Sequence, residues 1–189
     1  MLAIIRSFGF SPKWIHIANS AGLLKIDDPV FTAVRSGIAF YGYNHLEHND
    51  PHFAKLNSLS PALRVLSTVI SLQQLQSGDI VSYGGTHLAQ SPERIATLPF
   101  GYYEGLTRSL SNRRSVKCKD TFLPQVGNIC MNLSSYVCEE QQVQLGDRVE
   151  VIGIDIAAPN SIDKFSKLSG TIPYEVLVNL DAKIRRKVV

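Results

Sequence analysis

Charge of either sign is nearly balanced in this sequence, cysteines are few, and long apolar runs are missing. Lys+Arg number 19 against 16 Asp+Glu, a net charge of +3 over 189 residues, too small an excess to imply a nucleic-acid partner. The densest basic clusters run from Arg108 to Lys119 and through Lys183, Arg185, Arg186 and Lys187. Neither interleaves the aromatics of a single-strand binding groove, so they read as a solvated face and a C-terminal helix end. Cys118, Cys130 and Cys138 are an odd count with no C-x-x-C. That argues against a disulfide framework and a structural zinc site and suits a reducing compartment; no metal is expected. No stretch reaches the ~18 apolar residues of a membrane helix. The opening MLAIIRSFGF is interrupted by Arg6 and Gly9 too soon for a secretory segment. A soluble cytoplasmic protein without a membrane partner is the expectation.

What is present is ordinary globular material. Hydrophobic residues make up 44% and charged residues 19%, enough apolar surface to fold and too little charge for disorder. The length suits one domain or two small ones. Before residue 50 two near-continuous apolar runs, Trp14 to Ala18 and Gly37 to Gly42, read as strands buried on both faces of a parallel sheet. Between them Asp27-Asp28-Pro29 offers a helix start, so the order predicted is strand, helix, strand. Asn44 to Asn57, with His45, His48 and His52, reads as a linker. Beyond it short strands with turn signals predict an all-β domain. They are Leu63 to Leu72, Ile80 to Tyr83, Arg94 to Leu98, Gln125 to Met131, Ser135 to Cys138 and Arg148 to Ile152, with matching Gly78-Asp79 and Gly146-Asp147 turns. Ser161 to Leu168 predicts a helix capped by Ser161 and ended by Gly170. The fold class expected is mainly β, preceded by a small strand-helix-strand piece. A closed (β/α)₈ barrel needs about 250 residues, so the first fifty look like the end of something larger.

Small and polar residues follow the first apolar run in His16-Ile17-Ala18-Asn19-Ser20-Ala21, and Arg35-Ser36-Gly37-Ile38 opens the second. Strand ends of this kind gather phosphate-bearing ligands in α/β proteins. Asn19-Ser20 as a helix cap and Arg35 in a surface ion pair account for the same residues equally simply. The segments HIANSAGLL, VRSGIAFYGY, VSYGGTHLA, IATLPFGYYEGLTRSLSN, VGNICMN and GTIPYEVL, in that order, resemble the C-terminal half of bacterial alanine racemase from about residue 10 to the end.

The resemblance implies residues 1–50 as the end of a pyridoxal phosphate (PLP)-binding (β/α)₈ barrel and 57–189 as the racemase C-terminal β domain. It implies a head-to-tail homodimer interconverting L- and D-alanine for peptidoglycan precursor supply. Ser20, the backbone of Gly37 and Ile38, and the Tyr174 hydroxyl are the implied phosphate ligands. Arg35 is expected to face the pyridine nitrogen and, being unable to give up its proton near neutral pH, to keep that nitrogen unprotonated. His16 is expected to brace Arg35 from behind. Tyr102 matches the family's catalytic tyrosine, serving as acid and base on one face of the substrate, and the backbone at Met131 is expected to help hold the substrate carboxylate.

The family's second base is the lysine that holds PLP, in a segment resembling K-A-N-A-Y-G-H-G, and none of the chain's lysines lies in such a context. The histidine that tunes the tyrosine belongs to that half too. A free phenol is only about 0.1% ionised at pH 7. The chain is therefore expected to be inactive alone and to work with a complementary N-terminal half or as a homo-oligomer. A non-catalytic remnant that associates or binds a small anion, and a serine or broad-specificity racemase domain, are the alternatives. Asn128 replaces the family's usual arginine before I-C-M-D, Asn132 the aspartate after it, and Tyr103-Glu104 the usual Ala-Asp. The two asparagines remove charge near the substrate's approach.

Overall fold

The computed structural model describes residues 1–139, 141 and 143–188. They fall into two compact units, Met1–Ala62 and Leu63–Val189. The first holds helices α1 (Leu2–Ser7) and α2 (Gly22–Lys25) and 3₁₀ turns at Ile38–Tyr41 and Phe53–Leu56. Its two extended segments run in the same direction. Thr32 N–H donates to Ile15 O at 2.8 Å and Arg35 N–H to Ala18 O at 2.7 Å, so each bond joins residues seventeen apart, which is parallel pairing.

The strand-helix-strand order is therefore present with different boundaries. The helix is Gly22–Lys25, and Asn19 Oδ1 accepts from Gly22 N–H at 2.9 Å at its start. The second extended segment is 32–35. Pro29 opens no helix, because Asp28 instead turns the chain, accepting from Val30 N–H at 2.9 Å. Gly37 to Gly42 coils as a 3₁₀ turn ended by left-handed Gly42.

The 44–57 segment packs inside this unit, with Leu46 and Leu56 buried and the His48 and Phe53 rings 4.4 Å apart. Lys25 forms a salt bridge to Asp50 that holds this carboxyl below its ordinary value, helped by the His52 N–H. Trp14 remains 63% and Phe40 82% exposed.

In the second unit the strands are β1 (Val65–Thr68), β2 (Ser71–Leu75), β3 (Ile80–Val81), β4 (His87–Leu88), β5 (Glu93–Leu98), β6 (Ser115–Cys118), β7 (Thr121–Val126), β8 (Ser134–Cys138) and β9 (Arg148–Ile152). Helices α3 (Ile162–Ser169) and α4 (Pro173–Val178) follow. Seven strands form one antiparallel sheet in the order β1-β9-β6-β7-β8-β5-β2, and β3 and β4 pair separately. Only Val69 and Ile70 separate β1 from β2, at opposite ends of that order. Three residue steps span roughly 10 Å at most, so the sheet must curl until its edges meet. Val69 N–H on Asp147 O and Ile70 N–H on Thr97 O, both at 3.0 Å, fasten the seam.

Alternation decides which side faces in. Val116 and Cys118 on β6, Ser134, Tyr136 and Cys138 on β8, and Val149 and Val151 on β9 are buried and alternate with more exposed neighbours, except that Ile152 at the end of β9 is buried too. β6 sits in the stretch read as a solvated basic face. Its pattern is legible only in two apolar positions, and Arg114 before it is buried. The two Gly-Asp turns are alike in geometry. Asp79 accepts from Gln76 N–H at 2.7 Å and Asp147 from Gln144 N–H at 2.8 Å, with Gly78 and Gly146 at φ +96° and +87°. Helix α3 begins and ends as its sequence predicts. Ser161 Oγ accepts from Lys164 N–H at 3.3 Å, and Gly170 is left-handed just past the end.

Candidate active site

In the first unit the candidate residues gather around Ser20. Its side chain is 1% exposed, and its Oγ accepts from Gly37 N–H at 2.8 Å and Ala39 N–H at 3.3 Å. Gly37, at φ −115° and ψ −93°, turns the chain into the 3₁₀ turn and brings these amides to one point. Among the described residues the hydroxyl's own proton has no acceptor. The Gly37 and Ala39 amides are spent on the hydroxyl oxygen, which leaves the buried hydroxyl's own proton as a donor for an anionic oxygen. Ile38 is buried at the same turn. His16 and Arg35 are both exposed. Among the described residues no hydrogen bond joins their side chains, so the bracing contact is not formed. The two are exposed on neighbouring extended segments.

In the second unit Tyr102 and Met131 are brought together by their backbones. Tyr102 N–H donates to Cys130 O at 3.0 Å and Tyr103 N–H to Met131 O at 2.9 Å. Gly101 permits this approach, since a Cβ there would lie 2.3 Å from Cys130 O and 2.4 Å from Met131 O. Ser134 Oγ on β8 lies 2.7 Å from Phe100 O and 3.1 Å from the buried Tyr136 hydroxyl, tying the loop to the sheet. The Tyr102 side chain is 44% exposed. It lines a cleft of ≈ 330 Å³ with Thr107, Phe165, Ser169, Thr171 and Glu175. Tyr174 stands on α4 between Thr171 and Val176 of the same wall, without itself lining the cleft. A phenol fixed at its main chain, on the rim of a polar cleft, can hold and pass a proton.

Glu104 was not singled out in the sequence as part of this site. Its Oε2 accepts from Gly101 N–H at 2.7 Å and its Oε1 from Asn132 Nδ2 at 2.8 Å, closing the loop around Tyr102. Asn132 thus does more than remove a charge: its amide satisfies the glutamate. Asn128 is placed similarly, its Nδ2 on Tyr83 O and its carbonyl accepting from Ser82 Oγ, both at 2.6 Å. A Glu at 104 together with an Asn at 132 was the available signal, but nothing local links positions 28 apart.

Asn132→Asp sets two carboxylates against each other. One of the pair then has a folded-state pKa above its unfolded value, so the folded state binds more protons and the penalty grows as pH rises. A loss of about 1 kcal/mol at pH 7, reduced at pH 4.5, is expected in urea unfolding, the site being part-exposed. An equal loss at both pH values contradicts the clamp.

The family model for the alanine racemase C-terminal domain matches residues 62–188, and that for the N-terminal domain matches 1–45. The chain belongs to the alanine racemase family. Alanine racemase of Prochlorococcus marinus is 38% identical over 179 residues, covering 94% of this chain and 45% of that protein. The structure of alanine racemase from Bacillus anthracis with bound L-Ala-P aligns with TM-score 0.79 at 33% identity, over 95% of this chain and 46% of that one. That from Bartonella henselae with covalently bound pyridoxal phosphate aligns with TM-score 0.75 at 30% identity, over 100% and 50%. The chain thus spans about half the length of the racemases it matches. The mainly β fold is that of the racemase C-terminal domain. Among the described residues no helix is long and apolar enough to cross a membrane.

Proposed function

We propose that this chain supplies the tyrosine-bearing part of a PLP-dependent racemase site interconverting L- and D-alanine in the cytoplasm, for peptidoglycan precursors. The observation that carries this reading is Tyr102, held by Gly101, Glu104 and the 130–131 carbonyls on the rim of a cleft. The Ser20 hydroxyl fits a phosphate oxygen, because it is buried, accepts from two amides and so is fixed in place, and has its own proton left to give. PLP, when bound, supplies the electron sink that makes the α-proton of an amino acid removable. By family resemblance, Ser20, the main chain of Gly37 and Ile38, and the Tyr174 hydroxyl would bind its phosphate. Arg35 would face its ring nitrogen by the same resemblance. The Met131 N–H is offered to the substrate carboxylate, its carbonyl being engaged by Tyr103. Tyr102 moves the proton on one face of the substrate.

The opposite face needs a base that no lysine here matches. We infer that a lysine-bearing half completes the site within a homodimer-like assembly. The exposed large apolar side chains of Trp14, Ile17 and Phe40, of a kind that protein contacts cover, support association. They equally favour a second reading, a non-catalytic association module. Co-expression with the lysine-bearing N-terminal half of an alanine racemase, followed by chiral assay of L- to D-alanine conversion, decides between them. Turnover is expected, and a stable complex with none overturns the catalytic reading. Serine in the same assay separates a broad-specificity enzyme.

A further inference from the structure

Burying a guanidinium without an anion is costly, and this chain does so just before β6. Arg114 is 6% exposed. Its Nη2 donates to Val151 O and, at 3.5 Å, to Ser115 O. Its guanidinium carbon lies 5.0 Å from the Phe165 ring centroid, a favourable cation–π arrangement. Its Nη1 is buried with no partner. Burial pushes its pKa down, and the nearby Tyr136 phenol, pushed up by its own burial, stays neutral and offers no negative charge. Arg114 therefore has no carboxylate beside it among the described residues.

The same side chain lines a separate cleft of ≈ 370 Å³ with Arg113, Lys164 and Ser115, and Ala157 and Pro159 on an apolar wall. No acidic residue is among the lining residues. Arg113, Arg114 and Lys164 bring three cations to one cleft beside the Ser115 hydroxyl, an arrangement complementary to an oxyanion, and arginine forks suit phosphate. We propose that the cleft between the start of β6 and helix α3 is a binding site for a phosphate group, free or carried by a small phosphate ester whose carbon skeleton lies on the apolar wall. It shares no residue with the Ser20 donor set.

The test is calorimetric titration of the 189-residue chain with inorganic phosphate and, separately, glycerol 3-phosphate, in a chloride buffer. Saturable binding is expected. It should weaken at least tenfold in Arg114→Met, several-fold in Arg113→Gln and in Lys164→Gln, and persist in Ser20→Ala. The two rim variants keep the test decisive if Arg114→Met does not fold. Tighter binding of glycerol 3-phosphate assigns an ester as ligand, and equal binding assigns free phosphate. No saturable binding of either ligand overturns the proposal. So does binding lost in Ser20→Ala but untouched by Arg113→Gln and Lys164→Gln.

Discussion

Tyr102→Phe is expected to lower racemisation by the completed enzyme by about 10²- to 10⁴-fold, the usual contribution of a positioned acid/base. The phenol is part-exposed and its position is set by backbone bonds to Cys130 and Met131, which phenylalanine leaves in place. Stability should therefore change by no more than about 0.5 kcal/mol. The loss should fall on kcat with KM nearly unchanged, because substrate is held elsewhere, and PLP absorbance should be unaffected. Steady-state kinetics in both directions with urea unfolding of the same variant checks this. A change of less than twofold in kcat removes Tyr102 from the reaction.

Gly101→Ala should damage both the fold and the site. The added Cβ meets two main-chain carbonyls at 2.3 and 2.4 Å, and backbone cannot rotate away as a side chain can. A destabilisation of about 1–3 kcal/mol, typical of overpacking, is expected as the loop parts from residues 130–131. Displacement of Tyr102 by about 1 Å should cost roughly 10²-fold in activity. Gly146→Ala is the control. Gly146, unlike Gly101, is left-handed, at φ +87°, but nothing lies within 4 Å of its Cβ position, so only the intrinsic strain of about 1–2 kcal/mol applies, with no loss of activity per folded molecule. Thermal and urea unfolding with kinetics on both variants separates the contributions. Equal activity in the two variants contradicts the role given to the Gly101 contact.

What the sequence revealed was local. Ser161 and Gly170 mark α3 because a capping hydroxyl and a left-handed glycine act within one helical turn. The alternating Arg148–Ile152 marks β9, and each Gly-Asp pair makes its turn with its own carboxylate. What escaped depends on distant partners. β6 is a strand because β7 and β9 flank it, not because Ser-Val-Lys-Cys is strongly apolar. Gly37 to Gly42 looks like a buried strand, yet it coils, and Ser20, 17 positions earlier, receives its first amide. At the site, Tyr102 was legible only through a run of motifs in family order, since an exposed tyrosine has no chemical signature of its own. The Glu104–Asn132 clamp and the unpaired Arg114 were invisible, because each is defined by what folding places beside it.

The most direct test of the central claim is exchange of the α-proton of L-alanine in D₂O with PLP present. The chain should be measured alone, with a lysine-bearing racemase half, and with that half and Tyr102→Phe. The account predicts no exchange above free PLP for the chain alone, rapid exchange with the added half, and loss of most of that gain in Tyr102→Phe. Exchange by the chain alone that survives Tyr102→Phe contradicts it, as does a stable complex with the added half that exchanges no faster than free PLP.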